Sequence, residues 1–245
     1  METTVYDDLE AEYARIDAIL GSLSERQWAA PSRAAGWSVS DVVLHLAQSE
    51  EFVLHAANTV ATPVETSSGG TMDERMAALV EAERGTDPHV LLSRWRSATV
   101  AGVRALRAAP PGARLPWAAA PLTAPTLATT RLAEHWAHML DVVEALGIDY
   151  PDTARLRHIA WLAHRTLPYA LAISGQSAGA VRCELAGPSG ERWEFGDTEA
   201  PNVIRGSAGE FCRVAAQRAR PEATGLHTTG PDAARALQVV RTYAA

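Results

Sequence analysis

The feature that most constrains the fold is a series of apolar residues at helical spacing, which continues up to Gly147. The first run predicts a helix over 5–20, and its apolar stripe consists of Val5, Leu9, Tyr13, Ile16 and Leu20. A second helix is predicted over 39–60, because Ser38 and Asp41 stand three apart before an apolar run, as in a capping box.

Three further helices are predicted before Gly147. A short one covers 72–84, and the segment 62–70 before it is a predicted loop. Asp87 and Pro88 are typical of a helix start, and Pro110 ends the helix that follows. The last helix ends at Gly147, a residue type common after helix ends. Four principal helices joined by loops of moderate length predict a helix bundle.

After Gly147 the pattern changes to a mixture of helices and short alternating strands. The segments VRCEL and RWEFG flank the turn-forming GPSG and predict a hairpin. Further strands are predicted at 202–205 and 224–229, and further helices at 152–171, 207–219 and 231–243. We therefore predict an α+β protein with two domains, a helix bundle over 1–150 and a small α+β domain over 151–245.

Charge and composition exclude several classes of function. The net charge is -7 and the 22 basic residues are scattered, so no basic patch for nucleic acid is predicted. All 22 are arginines, which excludes both Schiff-base catalysis by a lysine and the lysine-containing phosphate-binding loop.

The N-terminal segment and the cysteines predict a cytoplasmic protein without a membrane partner. Residues 1–20 contain acidic groups and no long apolar core, unlike a signal peptide. No run approaches the roughly 18 apolar residues of a membrane helix. Cys183 and Cys212 are too few for a disulfide framework and are expected to be buried in a core. Charge and composition do not decide between a monomer and a dimer.

A pair of residues one helical turn apart suggests a metal site. Glu134 and His138 project from the same helix face, and His45 lies beside the apolar stripe of another helix. Two histidines and one carboxylate leave coordination positions open for water or substrate, as in catalytic zinc or ferrous iron sites. The alternative is that Glu134 and His138 belong to an exposed polar stripe with Arg131.

Neighbouring residues leave some roles open. His135 lies three residues before His138 and could replace Glu134 as a ligand, although it should face the core. Asp141 could hold His138 by its second ring nitrogen, or could be an ordinary exposed acid. The remaining five histidines are expected to be structural or superficial: His55, His89, His158, His164 and His227.

Two segments, GWSVSDVVLHLAQSEEF and RLAEHWAHMLDVVEALG, resemble the DinB-like four-helix metalloenzymes that include the mycothiol-dependent maleylpyruvate isomerases. The likeness continues through FCRVAAQRARPEATGLHTTGPDAARAL, and the chain looks most like a metal-binding branch distinct from the maleylpyruvate enzymes themselves. The resemblance implies that His45, Glu134 and His138 hold the metal, and it favours zinc. It also implies a functional arginine at Arg218, or less favourably Arg213; the alternative for Arg218 is an exposed helix-end residue.

The expected function is therefore that of a zinc-dependent isomerase or thiol transferase acting on a small molecule. Zinc would lower the pKa of a thiol such as mycothiol, and the thiolate would add to an unsaturated carbonyl or carboxylic substrate. Arg218 would bind the substrate carboxylate. Two alternatives stay open: a thiol-independent zinc hydrolase, lyase or cyclase, and a binding protein without catalytic activity.

Overall fold

The computed structural model describes residues 4–58, 71–117 and 120–243. Contacts between residues divide the chain into two compact units, one of residues up to Tyr150 and one of Pro151–Tyr243. The predicted loop at 62–70 and the last two residues of the predicted helix 39–60 lie outside the described residues.

The first unit is helical, as the apolar spacing predicted. Its helices are α1 (Val5–Leu20), α2 (Glu25–Trp28), α3 (Val39–Asn58), α4 (Met72–Glu83), α5 (Pro88–Ala108) and α6 (Ala124–Leu146). Strands β1 (Arg114–Leu115) and β2 (Leu122–Thr123) form a small antiparallel pair between α5 and α6. Helices α1 and α3 each pack against both α5 and α6, so these four form the predicted bundle, and α4 packs on α3.

Short-range capping interactions set the ends of the bundle helices. Ahead of α3, the Ser38 backbone N–H donates to the Asp41 carboxylate at 2.8 Å, and the Asp41 N–H donates to Ser38 Oγ at 3.2 Å. Asp87 caps α5, in which Pro88 is the first residue. Gly147 ends α6 in the left-handed conformation at φ 65°, where a residue without Cβ has no steric penalty.

The core of the bundle consists of large side chains from all four principal helices. Each large apolar side chain that is fully buried contributes about 1.5–3 kcal/mol relative to an exposed position. The largest buried members include Leu9, Ile16, Leu44, Leu46, Leu91, Trp95, Leu106, Leu127, Leu132 and Met139. This packing fixes the positions of α3 and α6, from which the candidate site residues project.

The second unit combines a mixed sheet with helices. In chain order its elements are α7 (Leu156–Arg165), α8 (Leu167–Ile173), β3 (Val181–Ala186), β4 (Arg192–Phe195), β5 (Asn202–Ser207), α9 (Ala208–Ala215), β6 (His227–Thr229) and α10 (Ala233–Val239). The strand order is β4-β3-β5-β6. Strands β3 and β5 are parallel and the other two pairings are antiparallel.

The sheet buries the face that carries its apolar residues. Along β3 the buried residues alternate at Val181, Cys183 and Leu185, as expected for a strand with one covered face. Cys183 lies opposite Ile204 of β5 and Phe195 of β4, and α9 packs against β3 and β5. The predicted hairpin and the predicted α+β class are confirmed.

Several predicted helices of the second unit are shorter than the apolar pattern suggested. The helix predicted over 152–171 begins only at Leu156 and is interrupted between α7 and α8, where the Thr166 hydroxyl donates to the Arg241 carbonyl at 2.5 Å. The helix predicted over 207–219 ends at Ala215, because Gln217 adopts a positive φ of 59°. The last helix covers Ala233–Val239 rather than 231–243.

The predicted strand at 224–229 is also shorter, and it begins at His227 after a short 3₁₀ turn at Pro221–Ala223. Among all helices in the described parts of the chain, none combines the length and the apolar character needed to cross a bilayer.

Candidate metal centre

His45 projects from the N-terminal half of α3 and is almost completely buried. Its Nε2 atom lies 3.0 Å from Oε1 of Glu134 on α6. Its Nδ1 atom has no hydrogen-bond partner among the described residues. Within the described parts of the chain, the hydrogen bond of this imidazole is therefore the one that faces α6.

Glu134 and His138 lie one turn apart on α6 and converge with His45. Oε1 of Glu134 is 3.5 Å from Nε2 of His138. The side chains of Glu134 and His138 are 26% and 15% exposed, whereas that of His45 is 6% exposed. One potential ligand atom from each of the three residues lies within 4.8 Å of the other two.

These separations suit a small divalent cation. Metal–ligand bonds of about 2.0–2.1 Å in a tetrahedral arrangement place neighbouring ligand atoms about 3.3 Å apart. The two separations that involve Glu134, 3.0 and 3.5 Å, lie on either side of that value. Two imidazoles and one carboxylate are ligands that zinc accepts, and three protein ligands leave a position open. The residues present therefore fit a catalytic type of metal site.

Asp141 contacts the far side of the His138 imidazole. Its Oδ2 atom lies 3.2 Å from Nδ1 of His138, and its side chain is only 3% exposed. A carboxylate in this position orients a ligand imidazole and raises its basicity. Of the two readings of Asp141, the exposed acid is wrong, and the geometry is that of an outer-layer partner to His138.

Trp37 covers the two imidazoles from the loop before α3. Its ring centroid lies 5.1 Å from that of His45 and 6.2 Å from that of His138, with which it is stacked at 24°. The Trp37 carbonyl accepts hydrogen bonds from the backbone N–H and the hydroxyl of Ser32. The indole therefore forms a fixed apolar wall that limits water at the imidazoles.

The protonation states inferred for His45 and Glu134 are those that a cation requires. Burial lowers the pKa of His45, and the hydrogen bond to Glu134 opposes this only in part, so the imidazole is neutral at pH 7. Burial raises the pKa of Glu134, but the hydrogen bonds from His138 and His45 outweigh burial and leave the pKa well below its usual value. Metal ligands bind as neutral imidazole and as carboxylate, so His45 and Glu134 are already in the forms that bind a cation.

A buried ion pair lies next to the candidate ligands. Nε of Arg131 on α6 donates to Oε1 of Glu50 on α3 at 2.9 Å, and both side chains are at most 4% exposed. Nη2 of Arg131 donates to Ser49 Oγ at 2.8 Å. Burial raises the pKa of Glu50, and the negative charge of Glu50 raises that of Arg131 despite burial. The alternative that Arg131 belongs to a solvent-exposed stripe is therefore wrong.

His135 is excluded as a ligand by its own hydrogen bonds. The Trp95 indole N–H donates to Nε2 of His135 at 3.0 Å, so Nδ1 carries the proton and donates to the Arg131 carbonyl at 3.0 Å. Burial, and then the charge of Arg131, lower the pKa of His135 well below its usual value. Its ring also packs edge-on against Tyr13. His135 is thus a neutral structural histidine of the core, as its helix position suggested.

Arg218 and Arg213 belong to the second unit. Arg213 forms a two-pronged ion pair with Asp152, with both N–O separations at 2.9 Å, and so connects α9 to the segment before α7. The Arg218 guanidinium is half-buried and donates to the Ala216 carbonyl at 2.8 Å. Arg213 is thus engaged in an ion pair, and a substrate-binding role for Arg218, or less favourably Arg213, remains a prediction.

Three residues around the site were not identified from the sequence as part of it: Glu50, Trp95 and Trp37. Glu50 carried a usable signal, because it follows Val43 and Leu46 and precedes Val53 at the spacing of a core-facing stripe. A charged residue in such a stripe requires a buried partner. The partner itself lies 81 residues away, and no local pattern identifies it.

Comparison with known proteins gives agreement at the level of family and fold. The sequence model of the mycothiol maleylpyruvate isomerase N-terminal domain matches residues 9–143. Uncharacterised proteins from two strains of Mycobacterium tuberculosis are 34% identical to this chain, and the match covers 97% of it and 94% of each relative.

Two solved structures share the fold. A crystal structure of the mycothiol-dependent maleylpyruvate isomerase has a TM-score of 0.61 at 21% identity, and a mutant of that enzyme has 0.60 at 20%. Each match covers 93% of this chain and 95% of the other. The family match spans more than half of the chain and includes all three candidate ligands. The chain therefore belongs to the mycothiol maleylpyruvate isomerase N-terminal domain family.

Proposed function

We propose that His45, Glu134 and His138 hold a divalent metal ion, with zinc as the favoured metal. The observation that supports this most directly is that their ligand atoms lie within 4.8 Å of one another, in a partly exposed site. When bound, zinc would act as a Lewis acid and lower the pKa of a thiol or water that occupies its open position. The first unit, up to Tyr150, would then be the metal-binding domain.

We further propose that the protein is a thiol-dependent isomerase or thiol transferase, with mycothiol as cosubstrate. Support comes from the family, and from a solved relative of the same fold that is a mycothiol-dependent maleylpyruvate isomerase. The substrate would be a small unsaturated carbonyl or carboxylic compound.

In the isomerase reaction the thiolate sulfur adds to a carbon of the conjugated double bond, which becomes a single bond and rotates. Elimination then breaks the carbon–sulfur bond, restores the double bond in the other geometry and regenerates the thiolate.

The chain's own residues have separate roles in this proposal. Asp141 holds the His138 imidazole in orientation, and Trp37 keeps water away from both imidazoles. In the second unit, which would form the α+β domain, Arg218 would bind the substrate carboxylate through a charge-assisted hydrogen bond. Two observations support this last role. Arg218 lies at the position that the family resemblance implies, and Arg213, the other candidate, is paired with Asp152.

The metal is tested by elemental mass spectrometry of the purified protein and of His138→Ala. A matched control is His89→Ala, because His89 is an exposed histidine of the same unit. We expect about one zinc per chain in the wild type and in the control, and its loss in His138→Ala. Wild-type protein that contains no metal and binds no added zinc would refute the metal site and favour a non-catalytic ligand-binding protein.

The thiol is tested by turnover of an unsaturated keto acid such as maleylpyruvate with and without mycothiol. We expect activity only when the thiol is present. Activity that persists without any thiol but disappears with a chelator would instead identify a zinc hydrolase, lyase or cyclase. For Arg218, we expect Arg218→Ala to raise KM for a carboxylate substrate, whereas Arg220→Ala, at an exposed neighbouring position, leaves KM unchanged.

A further inference from the structure

The buried Glu50–Arg131 pair connects the same two helices that carry the candidate ligands. Glu50 lies five residues after His45 on α3, and Arg131 lies three residues before Glu134 on α6. The contacts His45–Glu134 and Glu50–Arg131 are therefore consecutive along two antiparallel helices. At 1.5 Å per residue the ion pair is only about 5–8 Å along the helix axes from the ligands.

Arg131 is fixed from several directions. Glu50 and Ser49 accept its Nε and Nη2 hydrogens, and the His135 imidazole donates to its carbonyl. The indole of Trp95 on α5 in turn holds His135. These contacts leave the guanidinium a single arrangement between α3 and α6.

The third helix leaves space for the carboxylate of this pair. On α5, a Cβ at Gly102 would lie 3.1 Å from Oε2 of Glu50, which is closer than an ordinary contact. The glycine allows the backbone of α5 to approach the Glu50 carboxylate closely. The pair is thus enclosed by three helices of the bundle.

Stability alone does not account for such a pair. Desolvation of two ions offsets most of their attraction, and replacement of a buried pair by apolar residues of similar volume is often neutral or stabilising. Apolar side chains, however, tolerate small shifts between helices, whereas directional hydrogen bonds between Arg131 and Glu50 do not. What the pair provides in addition is a fixed register.

We propose that Glu50 and Arg131 form a positioning pair that sets the register of α3 against α6, and thereby holds His45 at metal-binding distance from Glu134 and His138. This inference rests on the proposed metal site. A shift of α3 along α6 would move one imidazole away from the two ligands of the other helix. The pair acts through the ligands and touches neither metal nor substrate.

The test compares zinc affinity with folding stability in matched variants. The double variant Glu50→Leu/Arg131→Met replaces both charged side chains by apolar ones of similar volume. Ser49→Ala removes only one acceptor of Arg131. The control is Glu51→Gln/Arg94→Gln, because Glu51 is adjacent on α3 but pairs with Arg94 of α5, at 2.6 Å. Zinc affinity is measured by competition with a chromophoric chelator, and stability by urea unfolding of the metal-free proteins.

We expect the double variant to fold and to bind zinc more weakly, by up to the roughly 10- to 100-fold that follows loss of a residue in direct contact with a ligand. Ser49→Ala should show a smaller loss, and the control should bind as wild type. If the double variant binds zinc as tightly as the wild type, the positioning role is overturned while the metal site stands. The same holds if the control variant loses as much zinc affinity as the double variant. If the double variant does not fold, an unchanged affinity in Ser49→Ala overturns the inference. Absence of zinc binding in the wild type would overturn both this inference and the proposed metal site.

Discussion

Replacement of Asp141 by asparagine tests whether the outer layer of the site acts on the metal. Asp141→Asn keeps the size and shape of the side chain but removes its negative charge. Oδ2 of Asp141 lies 3.2 Å from Nδ1 of His138, inside a contact from which solvent is almost completely excluded. The substitution therefore changes the electrostatics of one ligand imidazole with little change in packing.

The expected magnitude follows from the position of this carboxylate. Loss of a partner that orients a ligand histidine typically lowers metal affinity by 10- to 100-fold, which is about 1.4–2.7 kcal/mol. Burial of a neutral amide costs less than burial of an ion. The substitution should therefore lower the free energy of unfolding less in the metal-free protein than in the metal-bound protein, each compared with the wild type in the same state. The effect would appear mainly as weaker zinc binding.

The assay measures the zinc dissociation constant by competition, beside urea unfolding with and without chelator. Glu144→Gln is the matched control, because Glu144 lies three residues further along α6, is 46% exposed and pairs only loosely with Arg33 at 3.5 Å. We expect this control to bind zinc as the wild type does, since exposed ion pairs contribute little. Wild-type affinity in Asp141→Asn would show that the contact with His138 has no effect on the metal, and would refute the reasoning.

Two further substitutions test the packing around the site and in the second unit by urea unfolding. Trp95→Phe leaves Nε2 of His135 without a donor and opens a small cavity, so we expect a loss of about 2–4 kcal/mol; a loss below about 1 kcal/mol would contradict that hydrogen bond. Gly196→Ala places a Cβ 2.5 Å from the Val181 carbonyl at a φ of 97°, and we expect it to cost more than Gly190→Ala, at a similar φ of 88° but in open space. Equal costs would mean that the backbone angle alone matters.

The parts of the fold that could be predicted from sequence are those set by short-range interactions. The capping box of Ser38 and Asp41, the Asp87 cap and the Gly147 end each involve residues within four positions of one another. Such signals, with apolar spacing, give the helix ends of the bundle closely. The same spacing places Glu134 and His138 on one face of α6.

Two of the errors involve contacts with distant parts of the chain. At the interruption, the Thr166 hydroxyl donates to the Arg241 carbonyl, 75 residues away, and Pro168 at the start of α8 has no N–H to continue α7. The early end of α9 depends on the left-handed conformation of Gln217, whose side chain donates to the Val240 carbonyl. A pattern of apolar residues contains neither contact, and it therefore extended both helices too far.

The candidate site shows the same limit. Spacing alone left open whether Glu134 and His138 face solvent. It offered His45 of another helix as a third ligand, and the family resemblance then favoured this set. The pairing of Arg131 with Glu50 was harder to predict, because the apolar stripe around Glu50 indicates burial but does not identify a partner 81 residues away. Their pairing becomes evident only when α3 and α6 are seen side by side.

The separation of the candidate ligands along the chain determines when in folding a cation site can exist. His45 and Glu134 are 89 residues apart, so their contact requires that α3 has already met α6. Before that step the chain offers at most the two-residue set of Glu134 and His138. A cation would therefore add its binding energy to the assembled bundle and not guide its assembly. During synthesis the three-ligand set would therefore be complete only after α6 has left the ribosome and packed against α3.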